Sequence, residues 1–221
     1  MTIVSQTQRC KLPALLLIFL LAGLPVAQAA EGRDACLAKA ETDPDQALAQ
    51  ANVRLRLAPQ DQSAMQCRAL ALFNSAEFLA AAMQFSRLAR AVAQDKTAAV
   101  HYGKAAWAYV RAQQSGAAAQ EFINAIERDP GNMQYRQDYA MALMDGEHYW
   151  DAVRELNHVV RRNSRAVAAL ALRADCWLRL GQRSRARADA IRALEIHPDE
   201  KLARAILDKI KLQSSDAEDA P

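Results

Sequence analysis

The sequence predicts an all-α protein built as a stack of helix-turn-helix units, and three observations carry that expectation. Glycine and proline are scarce, at seven each in 221 residues, while 52% of the chain is hydrophobic; that balance favours helix and supplies one sizeable core. Strict alternation of apolar and polar residues, the mark of a half-buried strand, is hard to find. The third observation is a repeat: Pro130 and Pro198 each follow a helical run and stand 68 residues apart, twice 34, with Ser164 at the midpoint.

A step of 34 places Ala106 over Ala140 and Ala174, and Ala118 over Ala152 and Ala186. A backward step of 37 extends the two columns to Ala69 and Ala81, so three extra residues are expected between Leu88 and Asp95, lengthening one helix by nearly a turn. Small side chains are needed where the helices of a unit cross or meet the next unit, because only they let the backbones approach.

The elements follow in chain order. Residues 1–29 read as a cleaved signal sequence: Arg9 and Lys11 give a positive start, Leu15 to Leu21 an apolar run, and Ala27-Gln28-Ala29 a small-x-small cleavage site. The apolar stretch from Leu12 to Ala27 is shorter than the roughly 20 residues of a membrane span and contains Pro13 and Pro25. Cleavage after Ala29 would leave a chain without stable membrane insertion. It would also remove two bases and no acid, leaving 26 basic against 25 acidic side chains, a balance that gives no ground for a nucleic-acid partner.

Residues 30–61 are expected to form an N-terminal helical cap, with a short helix over Asp34 to Ala40 and a second opened by Asp43-Pro44, a capping aspartate followed by a proline where no amide donor is needed. Four full units are expected at 62–98, 99–132, 133–166 and 167–200. Asp199 then caps a last helix, 201–212, whose Leu202, Ile206, Leu207 and Ile210 share one stripe and cover the end of the stack. Residues 213–221 are polar, acidic and small, and are expected to be disordered.

Within the unit 99–132, Tyr102, Ala105-Ala106, Tyr109, Ala118, Phe122, Ala125 and Pro130 resemble the tetratricopeptide-repeat family in type and spacing. The unit 133–166 keeps Ala140, Leu143, Tyr149, Ala152, Leu156 and Val159, with Arg136 in place of the opening aromatic and Ser164 in place of the closing proline. The unit 167–200 keeps Ala174, Trp177, Gly181, Ala186, Ala193 and Pro198, and the unit 62–98 keeps Ala69, Leu72, Phe78, Ala81 and Phe85. The resemblance, to exported bacterial members, implies a right-handed superhelical solenoid. Its first helices would line a concave groove and its second helices the convex side.

The same resemblance implies where a partner would bind. Phe73, Trp107, Val110, Met141, Met144 and Leu178 fall on the inner faces of first helices, an apolar set suited to an amphipathic helix or apolar segment. The competing reading is that these six are core, covered by neighbouring helices or by the C-terminal cap. Some family members grip a C-terminal carboxylate with Lys, Arg and Asn; the matching positions here are Gln66, Gly103, Trp107, Gln137, Asp138 and Asp175, so that clamp is absent. Cys36 and Cys67 sit in the first helices of neighbouring units, which pack side by side in this family, so an oxidising compartment would let them form a disulfide. Cys176, two residues past an alanine column, reads as a small buried side chain.

No nucleophile elbow, Walker loop, dinucleotide fingerprint or paired metal-binding histidines occur, and the four histidines are scattered; neither a catalytic residue, a metal site nor a cofactor is expected. His197 falls in a turn where the other units carry Asp95, Asp129 and Asn163, which a turn-stabilising polar residue explains. Ten arginines against three acids lie between Arg154 and Arg192. Arg154, Arg161, Arg185 and Arg192 could form a docking face for an anionic protein, lipid or polysaccharide, or simply a solvated convex surface. Trp150 matches no packing position and is a further candidate contact. The expected function is a periplasmic interaction scaffold, adaptor or assembly factor, holding a protein or peptide partner in its groove; the alternative is a binder of anionic envelope polymer or lipid.

Overall fold

The structure is a computed structural model that describes residues 35–218, with side chains through Leu212. Among these residues lie eleven helices and no strand: α1 (35–42), α2 (Pro44–Leu57), α3 (Gln62–Asn74), α4 (Phe78–Ala91), α5 (Asp95–Arg111), α6 (Ser115–Arg128), α7 (Met133–Asp145), α8 (Tyr149–Arg162), α9 (Val167–Arg179), α10 (Arg183–Ile196) and α11 (Lys201–Glu218). The expected signal sequence, its cleavage point and residues 219–221 of the expected tail lie outside the described residues. Among the described residues no helix is long and apolar enough to cross a membrane.

From α2 to α11 each helix packs on its neighbours in sequence, with further contacts of α5 with α7, α7 with α9, and α9 with α11. That pattern is an all-α helical solenoid. The two alanine columns are the reason the pairs close: Ala69, Ala106, Ala140 and Ala174 are fully buried, as are Ala81, Ala152 and Ala186, with Ala118 nearly so.

One turn recurs inside all four units. Ala76, Gln113, Glu147 and Gly181 occupy its middle with φ of 61°, 58°, 61° and 71°. In each, the next amide donates to the carbonyl five residues back: Glu77 to Leu72, Gln114 to Tyr109, His148 to Leu143 and Gln182 to Trp177, at 2.8–2.9 Å. This left-handed residue and its long hydrogen bond close the first helix and reverse the chain.

A second recurrence is polar. Glu121, Glu155 and Asp189 stand 34 residues apart on α6, α8 and α10, and each is only 8% exposed. Glu121 accepts from the Ser86 hydroxyl of α4 at 2.5 Å, Glu155 from Arg136 of α7 at 2.7 Å, and both oxygens of Asp189 from Arg173 of α9 at 2.7 and 2.8 Å. Arg173 also donates to Asn157 of α8 at 2.7 Å, tying three helices together. A buried acid held this way costs desolvation, offset by charge-assisted hydrogen bonds, and fixes the register of the helices it bridges.

The extra residues of the second unit appear as an added first turn of α5, which begins at Asp95 and runs 17 residues where α3, α7 and α9 run 13. That is slightly later than the expected window before Asp95. Nothing in Asp95-Lys96-Thr97 interrupts a helix, and Ala98 and Ala99 bury the new turn. Asp95 consequently opens a helix and is not a turn residue; it accepts from Arg128 at 2.8 Å.

At the N-terminal end, Asp43 caps α2 by accepting from the Gln46 amide at 3.1 Å. Cys36 of α1 and Cys67 of α3 are positioned as a disulfide, with α-carbons 5.9 Å apart, and both are buried with Ala40, Ala47, Ala51 and Ala71. At the other end α11 lies on α9 and α10, burying Ala203 and Ile206. It continues to Glu218, six residues past the expected end at 212, so 213–218 are helical where disorder was expected. The physical reason is the absence of any proline or glycine before Pro221, once a helix anchored by its apolar stripe is under way.

Candidate functional site

Phe73, Val110, Met144 and Leu178 are the penultimate residues of α3, α5, α7 and α9, one equivalent position per unit. Trp107 and Met141 lie one turn earlier on α5 and α7. All six candidate groove residues are half-buried, neither sealed in the core nor fully exposed. Phe73 packs edge-on against Phe78, ring centroids 5.4 Å apart. Met144 and Leu178 border the large C-terminal core cluster. Trp107 meets the buried Phe122 of α6. Phe73, Trp107, Met144 and Leu178 therefore give part of each side chain to the core while part remains available.

Val110 also lines a pocket of about 460 Å³ between the second and third units, with Ala118, Ala119, Tyr139, Ala142 and Leu143 as apolar walls. Ser115, Gly116, Asp145, His148 and Asp151 are among its other lining residues. The size is that of a site for a single large side chain or a small ligand.

The four arginines of the candidate anionic face are all exposed, on α8 and α10. Arg154 is engaged by Asp151 at 2.9 Å, and Arg185 lies over the Trp177 ring, 4.8 Å from its centroid. Of the four, Arg161 lines a depression of about 340 Å³, together with Pro130, Met133, Arg136, His158 and Arg162. Arg173, counted in the same arginine run, is not a solvated surface charge but the largely covered partner of the buried Asp189. Trp150 is 59% exposed and stands edge-on to Trp177 at 5.6 Å, so it forms the rim of an aromatic pair.

Among the described residues no group of histidine, cysteine and acid side chains could hold a metal ion. Cys176 is buried, and burial pushes its thiol up to about 12, far from the thiolate a nucleophile needs. His101 is buried on α5, where burial first and Lys104 second bring its imidazole down to about 4. It is a neutral core residue near neutral pH.

Sequence reasoning missed the Glu121–Glu155–Asp189 column, although the 34-residue step that finds the alanines also finds these acids. It missed the 460 Å³ pocket as well, because a pocket is made by what two different helices lack.

No family model matches this sequence, and no curated protein does. Solved structures do. YrrB, described as a tetratricopeptide-repeat protein with an unusual peptide-binding site, is 17% identical, covers 83% of this chain and 96% of its own, and superposes with a TM-score of 0.63. MamA from Desulfovibrio magneticus RS-1 is 12% identical over 79% of this chain and 96% of its own, also at 0.63. The first tetratricopeptide domain of Spaghetti (RPAP3), bound to the HSP90 peptide SRMEEVD, is 22% identical over 56% of this chain and 97% of its own, at 0.50. The chain thus has the tetratricopeptide-repeat fold.

Proposed function

We propose that this chain, a tetratricopeptide-repeat solenoid, is an exported interaction scaffold that holds a peptide or protein partner along its first helices and carries out no reaction itself. The observation that carries the reading is the column of Phe73, Val110, Met144 and Leu178, one half-buried apolar side chain per unit in equivalent places. A periodic apolar strip at this pitch suits an amphipathic segment laid along it. Two structural relatives are described as peptide binders. The acids Asp138 and Asp175 on the same first helices disfavour an acidic peptide such as the one bound by Spaghetti. Export rests on the N-terminal Arg9, Lys11, apolar run and Ala27-Gln28-Ala29 pattern.

The test is capture of envelope proteins by the mature chain and by a Met141→Lys, Met144→Lys variant. Partners retained by the first and lost from an equally stable second are expected. Equal capture by both would remove the groove from the reading. A second reading, an anionic polymer or lipid bound near Arg161, is favoured by the depression that Arg161 and Arg162 share with His158. Steep loss of capture with salt would support it over the groove, whose apolar contacts respond weakly to salt.

A further inference from the structure

Across each junction between full units, the last residue of a first helix comes to the first residue of the preceding unit's second helix. Two of the three junctions fill that place alike. Arg111 closes α5 and lies over the ring of Phe78, which opens α4, 4.7 Å from its centroid. Arg179 closes α9 and lies 6.0 Å from the ring centroid of Tyr149, which opens α8. Each pair clasps two units through an aromatic face and a guanidinium.

At the junction between the second and third units, the same two positions are Ser115 and Asp145. The aromatic ring is missing and the charge is reversed. What remains is the 460 Å³ pocket, in which both residues take part. A Cβ built on Gly116 meets nothing within 4 Å, so the space runs up to the α6 backbone. Of the junctions from a second helix to the next first helix, α6 with α7 is also the most sparsely packed. Asp151 at the rim is shared with Arg154, whereas Asp145 is exposed and has no ion-pair partner among the described residues.

We propose that this gap is a recognition pocket for a partner peptide that inserts an aromatic side chain and sets an adjacent arginine or lysine against Asp145. The peptide supplies from outside the pair that Phe78 with Arg111 and Tyr149 with Arg179 supply from within. Apolar walls from Val110, Ala118, Leu143 and Tyr139 receive the ring, and the unpaired carboxylate receives the cation. This rests on the partner being a peptide, as proposed above, and adds the chemistry of its anchor. The first-turn amides of α6 at the same wall would by themselves attract an anion, so the charge beside the aromatic anchor is the deciding variable.

The test uses the mature chain and four labelled octapeptides that differ only in a central Phe-Arg, Phe-Glu, Ala-Arg or Ala-Ala, titrated by fluorescence anisotropy. Phe-Arg is expected to bind at least about tenfold more tightly than the other three. The Ser115→Phe, Asp145→Arg variant, which rebuilds the internal clasp, should lose that preference while melting no lower than the parent. Should that variant misfold, Asp145→Asn keeps the shape and should bring Phe-Arg down to the level of Phe-Glu. Equal binding of Phe-Arg and Phe-Glu, preference for Phe-Glu, or no measurable binding at ~1 mM peptide overturns the proposal. So does self-association that the rebuilt clasp abolishes, which would make a second copy the occupant. Envelope capture kept by the rebuilt clasp and lost from the Met141, Met144 variant overturns the pocket and leaves the groove; the reverse overturns the groove and leaves the pocket.

Discussion

The indole of Trp107 meets the ring of Phe122 edge-on, with centroids 5.7 Å apart and planes at 89°, and Phe122 stacks in turn on Tyr139 at 5.6 Å. Trp107 therefore belongs to the core of the second unit as much as to any groove. Trp107→Ala is expected to cost about 2–3 kcal/mol in urea unfolding, short of a fully buried tryptophan. A cost under about 0.5 kcal/mol would show that the contact with Phe122 contributes nothing. Met141 lies outside the buried clusters, so Met141→Ala should leave stability within about 1 kcal/mol and is the cleaner probe of binding.

Three of the four turn centres with positive φ are not glycine. Ala76→Gly, Gln113→Gly and Glu147→Gly should each stabilise the fold by about 0.5–1 kcal/mol, since glycine adopts this conformation without a Cβ penalty. Gly181→Ala should do the opposite. Thermal melting of the four variants checks the sign, and destabilisation by all three glycine substitutions would contradict the turn geometry.

The protein recovered from the exported fraction should contain a Cys36–Cys67 bridge and begin at Ala30. With the two cysteines 31 positions apart in sequence, closing the loop is expected to contribute about 3–4 kcal/mol on the chain-entropy account. Peptide mapping without reductant identifies the linked pair, and intact mass identifies the terminus. Three free thiols, or no loss of stability on reduction, would sink the bridge as a structural element.

Arg173 and Asp189 are tied by two short hydrogen bonds at a site where little of either side chain reaches solvent. Arg173→Leu should cost about 3–5 kcal/mol, because Asp189 and Asn157 lose their partner. Adding Asp189→Leu should restore much of that loss. A double variant no better than the single one would mean that the pair is more than a local compensation.

His101 should make the protein acid-sensitive. Its imidazole titrates at about 4 when folded, against about 6.5 when unfolded, because burial disfavours the charged ring. The unfolded chain binds a proton between those pH values that the folded chain does not. The contribution of the neutral ring is thus fully present above about pH 6.5 and is lost as pH falls toward 4, by up to about 3 kcal/mol. His101→Leu should flatten the stability profile across that window; an unchanged slope would assign it to other groups.

The fold was legible because its cause is periodic. Ala69, Ala106, Ala140 and Ala174 repeat in one register, and a buried small residue at a helix crossing leaves that trace in any solenoid of this kind. The candidate surface was legible only in part. Phe73, Val110, Met144 and Leu178 share a register, but register does not say how far a neighbour covers them, and each proves half-buried. Arg173 looked like one more surface charge because the acid that neutralises it, Asp189, lies on another helix. The start of α5 at Asp95 was hidden because the 37-residue step between the columns puts three extra residues before Ala106 without saying whether they extend α4, the turn or α5. The end of α11 was misjudged because polar composition resembles a tail even where nothing breaks the helix.

The apolar interior is unequal along the array. From α7 to α11 one continuous cluster joins Ala140, Leu156, Leu170, Trp177 and Ile206, whereas the helices before α7 are served by smaller, separate clusters. Opening fluctuations therefore need not involve the whole molecule: the N-terminal half can unzip locally, while the C-terminal half must give way as a block. Native-state hydrogen exchange should show two tiers of amide protection with a step near α6, the slow tier spanning α8 to α10. The junction at Ser115 and Asp145 would then be the boundary between two cooperative blocks, where a bound peptide could slow exchange on both sides at once.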